Sequence, residues 1–107
     1  MQLLPIRLSP GVDLRRALEN AAADQANDSA FVVAGIGSLT EASLRYAGEA
    51  MQTRIVGHLE ILSLSGPLRP SGAHLHMSVS DALGQVFGGQ SHGGGSSGTP
   101  SGMVAHA

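Results

Sequence analysis

His74 and His76 stand two residues apart in Ala73-His74-Leu75-His76-Met77-Ser78-Val79-Ser80, where polar and apolar residues alternate. A period of two is the mark of a half-buried strand, and residues two apart on a strand leave it from the same face. Two neutral imidazoles so placed can share one divalent ion such as Zn²⁺, or one anion. Two imidazoles do not complete a metal site, so a third ligand has to come from the following strand. His92 is the candidate third ligand, on the same face if that strand persists; Gly93, Gly94 and Gly95 argue against its persistence. The competing reading is a pair of surface or interface imidazoles bonded to backbone and water.

Other residues invite chemistry less strongly. Glu60 is polar within an apolar strand and could act as a base, but pairing with Arg45 across the sheet explains it better. Gly35-Ile36-Gly37-Ser38 has the look of a phosphate loop, yet the dinucleotide fingerprint needs a third glycine and a following helix. Leu39-Thr40-Glu41 continues into a strand-like pattern instead, so a bend or bulge is expected. Ser63 and Ser65 lack the Gly-x-Ser-x-Gly setting of an activated nucleophile and read as polar strand positions.

The elements that must carry these residues alternate along the chain. Leu3–Leu8 reads as a short strand ended by Pro10-Gly11. Asp13 can start a helix reaching about Gln25, with Leu14, Ala17, Leu18, Ala21 and Ala22 in one apolar stripe. Ala30–Ile36 is a continuous apolar run, expected to be a strand buried on both faces. Residues 41–46 alternate, with Ala42, Leu44 and Tyr46 opposite Glu41, Ser43 and Arg45. Ile55–Ser65 follows, with Leu59, Ile61, Ser63 and Ser65 on one face and His58, Glu60, Leu62 and Leu64 on the other. A loop is expected at 65–72, then the histidine strand, a turn at Asp81–Gly84 and a last short strand at Gln85–Gly88. One helix and five or six strands on short connections define an α+β fold with a mainly antiparallel sheet.

The chain has 107 residues, enough for one small domain. Six Arg, no Lys and eight Asp/Glu give a net charge of −2, and charged residues are only 13% of the total. Arg15 and Arg16 form a small basic spot, joined by Arg7 and Arg69 and diluted by Asp13 and Glu19, so phosphate contacts are too few for strong DNA binding. With no Cys, disulfides, thiolate zinc sites and cysteine catalysis are excluded. No apolar run reaches the roughly 20 residues of a membrane-spanning helix, and the N-terminus lacks a secretory pattern, so a cytoplasmic protein is expected. Gln90–Ala107 holds five Gly, four Ser and no charged residue, which predicts a mobile tail after a domain at 1–89. Three aromatics leave an aliphatic core, and a domain this small gains from self-association.

Five segments, taken together, resemble the plants-and-prokaryotes conserved (PPC) domain family. They are Leu8-Ser9-Pro10-Gly11-Val12-Asp13-Leu14, Gly35-Ile36-Gly37-Ser38-Leu39, Leu44-Arg45-Tyr46-Ala47, Glu60-Ile61-Leu62-Ser63-Leu64-Ser65-Gly66, and His74-Leu75-His76 leading to Gly84-Gln85-Val86 and Gly88-Gly89. The resemblance spans residues 7–89 and implies an antiparallel sheet with a flanking helix, assembled as a homotrimer. It further implies a stand-alone prokaryotic domain, non-enzymatic, with a DNA-binding or regulatory role; the rival is a metal-binding protein or metal-dependent enzyme centred on His74 and His76. The chain departs from the family in two places. Gln90 stands where members usually have His after the paired glycines, and the Gly/Ser stretch stands where they continue into a further strand. The fold is therefore expected to be PPC-like and incomplete at its C-terminus, leaving a neighbouring strand's backbone groups unpaired.

Overall fold

A computed structural model describes residues 3–24, 30–69, 72–92 and 104–106. The elements in chain order are α1 (Leu14–Ala23), β1 (Ala30–Val32), β2 (Gly37–Leu44), β3 (Thr53–Arg69), β4 (Gly72–Ser80), β5 (Val86–His92) and β6 (Val104–His106). All strand pairings are antiparallel, in the order β5-β4-β3-β2-β6, with β1 paired to the far end of β3. This is the α+β architecture expected. No helix among the described residues is long and apolar enough to cross a membrane.

The helix begins where Asp13 caps it: its Oδ1 accepts from Arg16 N at 3.2 Å, satisfying one of the first-turn donors. Leu14 and Leu18 are buried among Leu39, Leu44, Leu59, Ile61, Leu64, Leu75, Met77 and Val79, so the helix covers one face of the sheet. Ala73 N donates to Glu19 Oε2 at 2.8 Å, tying the helix to the start of β4. The opposite face carries the polar residues of β4, as the alternation required. The β4–β5 turn is an Asx turn in which Asp81 Oδ1 accepts from Leu83 N and Gln85 N, at 2.9 and 2.8 Å.

Several expectations change. Leu3–Leu8 forms no strand, and Leu3, Leu4 and Ile6 are exposed. The run from Ala30 gives a strand of only three residues and is not buried on both faces: Phe31, Val33 and Ile36 are 61%, 68% and 92% exposed. The reason is position, because β1 lies off the main path and pairs only with β3. Residues 65–69, expected in a loop, belong to β3. There Gly66 approaches β4 so closely that a Cβ would collide with the His74 carbonyl oxygen, and Pro67 pairs with Phe31.

The faces of β3 also change partway along. Ile61 pairs with Val79 but Ser63 pairs with Ser78, so Leu62 is an extra residue in a bulge. One inserted residue exchanges the two faces of a strand. Leu62, in phase with exposed His58 and Glu60, is itself 52% exposed, while Leu64, expected on that same face, is buried.

At the C-terminal end, β5 continues through Gln90, Ser91 and His92, past the expected domain boundary at Gly89. Val104–His106 pairs with β2 as β6, so these residues form a strand and not a tail. The rest of the expected mobile tail, residues 93–103 and 107, lies outside the described residues. An edge of the sheet that seemed destined to stay open is thus paired along Ser38–Glu41.

Candidate functional site on the polar face of strands β4 and β5

Register brings the polar residues into rungs. His76 pairs with Ser65 of β3 on one side and Gln90 of β5 on the other, and His74 pairs with His92. The sheet then curls so that Arg45, just past the end of β2, meets Gln90 through two backbone hydrogen bonds, Arg45 N to Gln90 O at 2.9 Å and Gln90 N to Arg45 O at 3.1 Å. Gly89 permits this contact, since a Cβ there would lie 2.6 Å from the Arg45 carbonyl oxygen.

The side chains converge as the backbone does. Arg45 Nη2 donates to Gln90 Oε1 at 3.0 Å, and His74 Nε2 lies 3.1 Å from the same oxygen. The imidazoles of His74 and His76 stack, with centroids 5.1 Å apart and planes 15° from parallel. Arg45, His74 and Gln90 are half-buried and His76 is exposed.

These contacts assign the proton on His74. A guanidinium has only donors, so the amide atom facing Arg45 is oxygen. The same oxygen accepts from His74 Nε2, which therefore carries hydrogen and presents no lone pair there. An ion at Nε2 would have to displace that hydrogen bond and sit beside the Arg45 cation. The described donors of this cluster, two imidazoles and an amide oxygen already accepting two N–H groups, do not fit a metal bound through His74 Nε2. Among the described residues no three of His, Cys, Asp and Glu gather closely enough to hold an ion. The third expected ligand, His92, is described here by its backbone alone, opposite His74.

Glu60 does not pair with Arg45 as expected. Its Oε2 accepts from Ser38 Oγ at 2.9 Å, directly across β2. Arg45 lies at the other end of β2, about 20 Å away at a strand's rise of about 3.3 Å per residue. Ser63 and Ser78 share a hydrogen bond at 2.6 Å, two hydroxyls in the polar ladder. Gly35 and Ile36 lie in the connection between β1 and β2, and Gly37 begins β2, so a strand and not a helix follows the glycines.

The chain matches the Plants and Prokaryotes Conserved (PCC) domain over residues 1–105 and belongs to that family, the PPC family of the resemblance above. Two curated relatives, both bifunctional GlmU proteins from Synechococcus strains JA-2-3B'a(2-13) and JA-3-3Ab, are 45% and 44% identical over 89 residues. The match takes in 83% of this chain but spans only 14% of each relative's length. Among solved structures, a hypothetical protein from Salmonella superposes with a TM-score of 0.80 at 32% identity, over 94% of this chain and 67% of its own. A candidate DNA-binding protein from Bacteroides thetaiotaomicron superposes with a TM-score of 0.65 over 85% of this chain and 61% of its own; at 18% identity it shares the fold.

Proposed function

We propose that this PCC domain is a non-enzymatic interaction and regulatory module that works as a homotrimer in the cytoplasm and meets DNA weakly by itself. The observation that carries the reading is the exposure of Phe31, Val33 and Ile36 in and just after the outlying strand β1. Exposed large apolar side chains on a small domain favour association, and covering them returns stability that so small a core lacks. The relatives support a modular role, since a similar stretch makes up 14% of much longer bifunctional proteins. The Bacteroides protein's designation supports contact with DNA. Charge limits that contact: of the six Arg, Arg54 is held by Glu41 at 2.6 Å, and the net charge is −2.

Light scattering on the purified chain tests the reading. A mass of three chains is expected, falling towards one when Phe31 and Ile36 are both replaced by Ser. A wild-type monomer at tens of micromolar overturns the trimer. Fluorescence anisotropy with a random duplex at about 0.15 M salt should show binding weaker than micromolar; tighter binding that survives added salt would contradict the charge argument.

A further inference from the structure

Phe31 of β1 lies opposite Pro67 of β3. Pro67 has no N–H to donate, so the hydrogen-bonded pairs of this ladder are Ala30 with Leu68 and Val32 with Gly66. The N–H and C=O of Phe31 then point away from β3. Among the described residues no strand lies along that outer edge. Ala30 and Val32 pack against the core, which leaves Phe31 and Val33, 61% and 68% exposed, on the other face. Charge and proline, which commonly keep a free edge from pairing, are missing from Ala30–Ile36. The Leu3–Leu8 segment is the counterpart. Its sequence reads as a strand, yet it belongs to none of the described elements and leaves Leu3, Leu4 and Ile6 exposed. Leu8 packs against the core and anchors it.

We propose that the Leu3–Leu8 arm of a second copy of this chain adds to the outer edge of β1 as an antiparallel strand, an inference that rests on the homotrimer reading and names its contact. Pro5 sets the register. An edge strand tolerates proline only where its nitrogen faces outward, so Leu4 and Ile6 turn their N–H and C=O inward. They meet Val33 and Phe31, which face out from β1 in the same alternation. Residues directly opposite share a face, so pairing Leu4 with Val33 and Ile6 with Phe31 brings four exposed apolar side chains together. A slip of one residue would set Pro5 against Phe31 and leave the Phe31 carbonyl without a donor. Within one chain the arm leaves its own β1 edge empty. An arm-to-edge contact between copies is heterologous and closes into a ring on rotation, so three arms fill three edges.

Light scattering and amide hydrogen exchange on the full-length chain test it, with two proline variants one position apart. Wild type should give a mass of three chains and slow exchange at the Phe31 and Val33 amides. Ile6→Pro removes an N–H that faces the edge. Its mass should fall towards one chain, and both amides should exchange at least about tenfold faster. Arg7→Pro removes an N–H that faces outward and should match wild type. Neither position is buried, so circular dichroism should report the same fold in both variants. A trimer with fast exchange at Phe31 and Val33, or one affected equally by the two prolines, overturns the arm contact and leaves the trimer standing. A monomer with slow exchange there means that the arm covers its own edge, and a monomer with fast exchange that nothing does; either overturns the trimer and the arm contact together.

Discussion

Arg45 and Gln90 hold each other twice, through a reciprocal pair of backbone hydrogen bonds at 2.9 and 3.1 Å and through a side-chain bond at 3.0 Å. Gln90 lies in β5 and Arg45 just past β2, and these strands are not neighbours in the order β5-β4-β3-β2-β6. The contact therefore bends the sheet until β5 meets the end of β2, and it delivers a guanidinium to a face otherwise built from β3, β4 and β5.

Gly89 makes this closure possible, which gives a paired prediction. Alanine at 89 would place its Cβ 2.6 Å from the Arg45 carbonyl oxygen and 3.2 Å from Leu44 Cβ, against backbone that cannot rotate away. Alanine at 88 would meet nothing nearer than 3.6 Å. Gly89→Ala should cost about 1–3 kcal/mol, the range for overpacking, and Gly88→Ala well under about 1 kcal/mol. Urea denaturation of the two variants decides; equal midpoints would mean that the closure is not tight.

The bulge at Leu62 makes a second prediction. Leu62 and Leu64 belong to the same alternating set in the sequence, yet only Leu64 is buried. Leu64→Ala should cost about 2–5 kcal/mol and Leu62→Ala less than about 1 kcal/mol. A similar loss for both would place Leu62 in an interface between copies.

That pair also shows where the sequence is legible. The alternation of β4, the Asp13 cap and the Asp81–Gly84 turn depend on residues within a few positions of one another, so local pattern suffices to find them. His74 and His76 could be found for the same reason. A bulge leaves no mark in hydrophobic alternation when apolar residues occupy both phases, Leu59 and Ile61 in one and Leu62 and Leu64 in the other. Nor does any local signal join Arg45 to Gln90 across the sheet. The nearest sign was Gly88-Gly89, whose lack of side chains hints that another backbone comes close.

Strand β6 should protect the edge it covers. Its pairing runs from Ser38↔His106 to Glu41↔Val104, and an unpaired edge is a template for association. A chain ending at His92 should keep the helix and the β3–β4–β5 core but exchange the backbone amides of 38–41 faster. It should also scatter more light on storage. Unchanged exchange at these amides would show that β6 does not occupy the edge in solution.

The last prediction concerns metal. In the present arrangement Gln90 Oε1 fixes hydrogen on His74 Nε2, and Arg45 places a positive charge beside it. Zinc should therefore bind the wild-type chain weakly and be lost on dialysis. Gln90→His removes the amide acceptor and sets a third imidazole opposite His76, within reach of His74. Three imidazoles with water make the open tetrahedral set that zinc favours. Affinity should rise by at least about tenfold, about 1.4 kcal/mol, and further when Arg45→Met is added, because a neighbouring cation then no longer opposes the dication. Elemental analysis after dialysis, with calorimetric titration of each variant, reads the outcome. If wild-type chain retains one zinc per protomer and His76→Ala loses it, the ion itself opens the Arg45–Gln90–His74 cluster, and the histidine pair is a metal site as the chain stands.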